Sequence, residues 1–159
     1  MTKSSIVIGV VSDTHGLYRS ELDQSLNGVD LILHAGDIGS RAVIEQLSLI
    51  APVRAVAGNT DRFPLSEEYP ETDVVEVKGK LIYIIHDLNK LDIDPVAAHI
   101  SVVIAGHSHQ AAIQYKNDVL FFNPGSAGPK RFKTTPSCGK LLIENELIIP
   151  EILIIKLEN

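Results

Sequence analysis

Apolar residues cluster in short, dense runs along the chain: Ile6–Val11, Val29–Leu33, Val53–Ala57, Leu81–Ile85 and Val102–Ala105. Runs this short and this rich in Ile and Val predict strands buried on both faces. Helically spaced stretches separate the first three. Leu22 and Leu26 lie four apart ahead of Asn27-Gly28, which predicts a short amphipathic helix from Tyr18 to Leu26. Ser40 is placed to cap a second helix with Ala42, Val43, Leu47 and Ile50 on one face. The order strand, helix, strand, helix, strand predicts parallel pairing with right-handed crossovers.

After this the texture changes. Pro64 to Glu71 is polar and predicts a loop. Val74–Val77 and Leu81–Ile85 flank Lys78-Gly79-Lys80 and predict a hairpin. Asp94-Pro95 opens a brief helix to about His99. From Ala111 onward the pattern predicts antiparallel strands: Ala112–Tyr115, Val119–Phe122, Lys140–Ile143 and Leu147–Leu157. With no internal repeat and no linker, residues 1–159 are expected to form a single α/β domain.

Composition narrows this picture. At 45% hydrophobic the chain can build a sizeable core, and a net charge of −6 without a basic run argues against a nucleic-acid polymer as partner. The single cysteine, Cys138, excludes an internal disulfide and fits a reducing compartment. Met1-Thr2-Lys3-Ser4-Ser5 leads directly into a first strand too short for a signal peptide or membrane span. The expectation is a soluble cytoplasmic protein, with exposed β-edges late in the chain that suit a homodimer.

The chemistry sits where the apolar runs stop. The first ends Ser12-Asp13-Thr14-His15, and in an extended segment Asp13 and His15 would leave on the same side. The others end in Asp37, Asn59, His86, and His107 with His109. Loops beyond the carboxyl ends of strands from separate segments meet in α/β sheets. Imidazoles, carboxylates and one amide oxygen suit manganese, nickel, zinc, iron or cobalt, whereas calcium would want oxygens throughout. There are more ligands than one tetrahedral ion takes, and a carboxylate can bridge. Two ions about 3.5–4 Å apart could then clamp an in-line displacement.

Asp13-x-His15, Gly36-Asp37, Gly58-Asn59, His86 and Gly106-His107-x-His109 resemble, in order, the successive motifs of the calcineurin-like metallophosphoesterases. Length and order resemble the small single-domain phosphodiesterase branch. The resemblance spans residues 6–126 and implies a four-layer αββα sandwich, two mixed β-sheets flanked by helices. It implies that Asp13, His15 and His109 hold one metal, that Asn59, His86 and His107 hold the other, and that Asp37 bridges. Manganese is the first expectation. A metal-bridging hydroxide would then attack phosphorus, with Asp37, Asn59 and His107 at the catalytic centre.

Two positions depart from the family pattern. Many relatives have histidine after Gly-Asn, and here it is Thr60; relatives often continue Gly-His after the next histidine, and here Asp87 and Leu88 follow His86. Less help for a poor leaving group favours a small phosphodiester over a phosphomonoester. Substrate contacts are expected from Asn59, Thr60 and Ser126. The alternatives are a phosphomonoesterase or nucleotidase on the same site, or a non-catalytic scaffold resembling the retromer subunit that keeps this fold. His34 reads as a partner of the ligands or as a satisfied core histidine. Asp61 reads as a ligand-orienting or proton-transfer residue or as a loop cap. His99 reads as surface or packing on its short helix, and Cys138 as a packed thiol. Lys130, Arg131 and Lys133 read as an anion-attracting or a solvated loop.

Overall fold

A computed structural model describes residues 3–131 and 133–157. Met1 and Thr2 of the leading segment lie outside the described residues. Strand β1 (Ser5–Val11) is followed by α1 (Glu21–Ser25), β2 (Leu31–His34), α2 (Arg41–Ser48) and β3 (Val53–Ala55). A one-turn helix α3 (Leu65–Glu68) leads to β4 (Thr72–Val77), β5 (Lys80–Ile85) and a 3-10 turn at Leu88–Lys90. Strands β6 (Ile100–Ile104), β7 (Ala112–Lys116), β8 (Val119–Asn123), β9 (Ser137–Glu144) and β10 (Leu147–Ile154) complete the chain.

The strands form two five-stranded mixed sheets, in the orders β10-β9-β1-β2-β3 and β4-β5-β6-β8-β7. In the first, β1, β2 and β3 run parallel as expected, and β9 is antiparallel to β1. In the second, β5, β6 and β8 run parallel and the antiparallel strands β4 and β7 take the edges. The late chain is therefore not wholly antiparallel. Strand β8 joins β6 in parallel, with Val102 opposite Leu120.

The central strands are mainly apolar because they have two dry faces. Ile8, Val10 and Leu33 of one sheet meet Ile82, Ile84, Val102, Ile104 and Phe122 of the other in the inter-sheet core. The alternate residues Val11 and Ile32 pack outward against Leu22 and Leu26 of the α1 segment and Val43 and Leu47 of α2. Burying each of these side chains stabilises by about 1.5–3 kcal/mol. On the second sheet the outward residues Tyr83, Ile85, Val103 and Phe121 are covered by Leu91 and Ile93. That outer layer is thin, a 3-10 turn and coil.

Several local expectations change. The helix expected over Asp94–His99 is a single closed turn. Asp94 Oδ1 does accept from Val96 N–H at 3.0 Å and Ala97 N–H at 3.3 Å. Ile100 N–H then reaches back to the Pro95 carbonyl at 2.8 Å, and His99 turns left-handed at φ 60°. This terminating motif stops a helix wherever it forms. The loop expected over Pro64–Glu71 contains α3, anchored by buried Leu65. The final strand ends at Ile154, short of Leu157, and the third at Ala55, short of Ala57. Ser40 caps α2 as expected, accepting from Ala42 N–H at 3.2 Å. No helix among the described residues is long and apolar enough to cross a membrane.

Candidate metal centre

The parallel strands β1, β2 and β3 of one sheet and β5, β6 and β8 of the other deliver their carboxyl ends to one place. The ends of β1 and β2 supply Asp13, His15 and Asp37. The segments after β3, β5 and β6 supply Asn59, His86, His107 and His109. At the end of β8, Asn123 holds the loop after β6, its Nδ2 donating to the Gly106 carbonyl at 3.0 Å and to Ser108 Oγ at 3.1 Å.

Asp13 and His15 converge, but not by strand alternation. Both have left-handed backbone, as do Asp37, His107 and His109, with φ between 47° and 69° at these five residues. Such conformations cost on the order of 1–3 kcal/mol each for a non-glycine residue and gather at functional sites. The backbone is bent to aim these side chains. Glycines before the ligands make room for the bends. A Cβ on Gly58 would stand 2.2 Å from Asp37 Oδ1, and one on Gly106 would stand 2.6 Å from Asp13 Oδ2.

Asp13 is fully buried. Its Oδ2 accepts from Ser12 Oγ at 2.7 Å and from His107 N–H at 3.0 Å. Among the described residues its Oδ1 has no hydrogen-bond partner, and neither have His86 Nε2 and His109 Nδ1. Around Asp13 Oδ1 stand three imidazole nitrogens: His109 Nε2 at 3.3 Å, and His15 Nε2 and His86 Nε2 each at 3.8 Å. His15 Nε2 and His109 Nε2 are 3.4 Å apart. Asp37 Oδ1 accepts from Thr60 N–H at 2.9 Å, while Oδ2 lies 3.2 Å from His86 Nε2 and 3.7 Å from His15 Nε2.

Two donor groups result, Asp13-His15-His109 and Asp13-Asp37-His86, each with its ligand atoms within 4.8 Å of one another. A buried carboxylate oxygen is costly to leave without a partner, and a cation bound among these nitrogens would supply one. The donor set fits a transition metal. His107 and Asn59 stand together beside these groups, Nδ1 of the one 3.2 Å from Oδ1 of the other. The seven candidate ligands therefore gather in one region, with Asn59, Thr60 and His107 on its exposed side.

Electrostatics follow from this packing. Burial alone would lower His86, but Asp37 alongside and the charge of Asp13 raise it above its ordinary value. Burial would raise Asp37, but His86 and the Thr60 N–H hold it well below the usual carboxylate range. Burial, with Arg131 and His15 nearby, lowers His109.

Other expected residues take different places. Asp61 is a cross-link between loops: Oδ2 accepts from Ile38 N–H at 3.1 Å and Gly58 N–H at 2.9 Å, and Oδ1 from Gly39 N–H at 2.9 Å. Ser126 is buried, donating to the Asp13 carbonyl at 3.0 Å and accepting from Gly128 N–H at 3.2 Å, so its hydroxyl is committed to the backbone. His34 is a satisfied core histidine. Its Nδ1 accepts from Gly36 N–H at 3.1 Å, so Nε2–H donates to Thr14 Oγ1 at 2.9 Å, and that hydroxyl donates to the Ile38 carbonyl at 2.9 Å. Lys130, Arg131 and Lys133 are exposed, and so is His99. Cys138 is buried, which pushes its thiol up to about 11. Sequence reasoning missed Ser12, Thr14 and Asp87. The first two flank Asp13 directly, and that adjacency was their only signal.

Residues 6–146 match the family model of the calcineurin-like phosphoesterase superfamily domain. A probable metallophosphoesterase of Methanothermobacter thermautotrophicus is 35% identical over 160 residues, spanning 93% of this chain and 92% of the relative. A phosphodiesterase of Methanocaldococcus jannaschii is 29% identical over 137 residues, 74% of this chain and 82% of its own. In fold, the structure of vacuolar protein sorting 29 from Cryptosporidium parvum is similar at a TM-score of 0.81 and 20% identity, covering 96% of this chain and 92% of that one. Two mixed sheets, candidate ligands at strand ends in motif order and a family match across most of the length lead to one conclusion: the chain belongs to the calcineurin-like phosphoesterase superfamily.

Proposed function

We propose that this protein is a metal-dependent phosphodiesterase that hydrolyses a small phosphodiester at two divalent transition-metal ions. The observation that carries the proposal is Asp13 Oδ1, fully buried, unpartnered and ringed by three imidazole nitrogens. Asp13, His15 and His109 would hold one ion, Asn59, His86 and His107 the other, with Asp37 shared between them. Mixed imidazole and carboxylate donors suit manganese, nickel, zinc, iron or cobalt, and manganese is the first ion to try. When bound, the ions supply Lewis acidity and lower the pKa of a water at the site.

The chain's own residues set the rest. Thr60 N–H fixes one oxygen of Asp37 and so aims the other at the ligand cluster. Asn59 lies on the exposed side, where its amide can meet a phosphate oxygen and the charge that develops on it. Beside it Thr60 brings no imidazole to protonate a poor leaving group, which favours diesters. The M. jannaschii relative named as a phosphodiesterase supports the same preference. A cleft of about 460 Å³ between Asn59, Tyr83, His86 and Lys90 suits a small substrate better than a polymer. An unbridged buried cysteine fits a cytoplasmic setting.

The test is turnover of bis(p-nitrophenyl) phosphate beside p-nitrophenyl phosphate by metal-stripped protein resupplied with each ion. Transition-metal-dependent diester turnover that exceeds monoester turnover is the expected result. No turnover of either ester with any ion would overturn it. A protein-binding role would then lead, favoured by an apolar cleft of about 810 Å³ among Leu88, Leu91, Val96, Tyr115 and Phe121 on the second sheet's outer face.

A further inference from the structure

Asp87 stands beside the ligand cluster with no part in the proposed hydrolysis. One of its oxygens is occupied: Oδ1 accepts from Asn89 N–H at 3.0 Å and fixes the carboxylate at the head of the 3-10 turn Leu88–Lys90. The other, Oδ2, lies 3.9 Å from Nε2 of His107. That is longer than a hydrogen bond but within ion-pair reach. On the far side of the same ring, Nδ1 is 3.2 Å from Asn59 Oδ1. The His107 ring therefore sits between a carboxylate and an amide oxygen, and a neutral imidazole has one proton to give.

The two acceptors are unequal. The carboxylate acts on the ring through its charge, which attracts an N–H at ion-pair distance, whereas the amide oxygen is a neutral acceptor. We infer that Asp87 is a positioning residue that holds His107 as its Nε2–H tautomer and so keeps the Nδ1 lone pair, facing Asn59 Oδ1, free for a metal ion. Without it the proton can pass to Nδ1 and bond Asn59, and both ligand atoms are then engaged with each other. His86 needs no such help, because its Nδ1 bonds the Ala35 carbonyl at 2.7 Å and the backbone sets its tautomer. His107 has an exposed side chain and no comparable backbone acceptor among its hydrogen bonds. The inference rests on Asn59 and His107 being ligands, as proposed above.

Two readouts test it. In metal-free protein at about pH 8, above the range where imidazole is charged, histidine-labelled ¹⁵N spectra report each ring's tautomer without any catalysis. His107 is expected as Nε2–H, moving toward Nδ1–H in Asp87→Asn, whose amide oxygen still caps Asn89. Calorimetric titration with manganese is expected to show one of two binding steps weakened about 10–100-fold in the variant. Should Asp87→Asn fail to fold, Asp87→Ser also caps the turn and carries the same expectation. An Nδ1–H ring in the wild type, or a variant matching wild type in both tautomer and titration, overturns the inference. Failure of hydrolysis by wild-type protein would count against the proposed function alone, since the tautomer is read without metal or substrate.

Discussion

His34 shows at a single residue how the site's support is kept dry. It is fully buried behind Asp37, with both ring nitrogens engaged, and burial pushes it from the ordinary 6.5 down to about 4. Folding therefore favours the neutral ring. The sign follows: this contribution is fully present above about pH 6.5 and is lost as pH falls through about 4. Linkage puts the loss at about 2 kcal/mol by about pH 5. Urea unfolding of metal-free protein between pH 7 and 5 is expected to show it. His86, raised by its carboxylate neighbours, acts with the opposite sign, so the comparison is with His34→Gln, which should lose less stability over that interval. Equal pH slopes for the two proteins would remove His34 as the cause. His34 was legible as a buried histidine from its place on an apolar strand. The Thr14 hydroxyl linking it to the Ile38 carbonyl was not, because that contact depends on where two loops meet.

At the scale of the element, β10 shows how an open edge is managed. It forms an open edge of the first sheet and exposes Leu147, Ile149 and Ile154. Such an edge invites pairing with a second chain. Pro150 sits at its centre, opposite Leu141, in a ladder that runs without a break from Leu147 to Ile154. A proline held inside a ladder turns its nitrogen to the open side, where no donor is then offered. Pro150→Val restores that donor, and sedimentation velocity is expected to show stronger self-association than in wild type. Unchanged association would mean that Pro150 does not guard the edge. Long elements were legible here because Ile and Val runs with two dry faces leave little choice of structure. The turn over Asp94–His99 and the helix Leu65–Glu68 were not, since a single turn is decided by one or two backbone bonds and one anchoring side chain.

For the whole molecule, the candidate ligands arrive from both sheets, so an ion bound among them would tie the two halves together. Ligand held only by the folded state stabilises it by about 2.7 kcal/mol at a hundredfold excess over Kd. For a chain of this size that is a rise in Tm of about 5–10 °C. Scanning calorimetry of stripped protein with added manganese is expected to show it, and Asp37→Ala is expected to lose most of the rise while remaining folded without metal. A wild-type Tm indifferent to every transition metal would argue against the site. The candidate ligands were legible as candidates because each follows an apolar run. The bends that aim Asp13, His15, Asp37, His107 and His109 were not, since only the assembled loops require them. Those five left-handed residues bear on descent. Glycine adopts that backbone without strain, so at each of these positions the side chain proposed to serve an ion is also the one that burdens the fold. A lineage that gave up the ion would gain stability by drifting toward glycine there, and the erosion of these five positions would date the loss of metal more sharply than any change in the core.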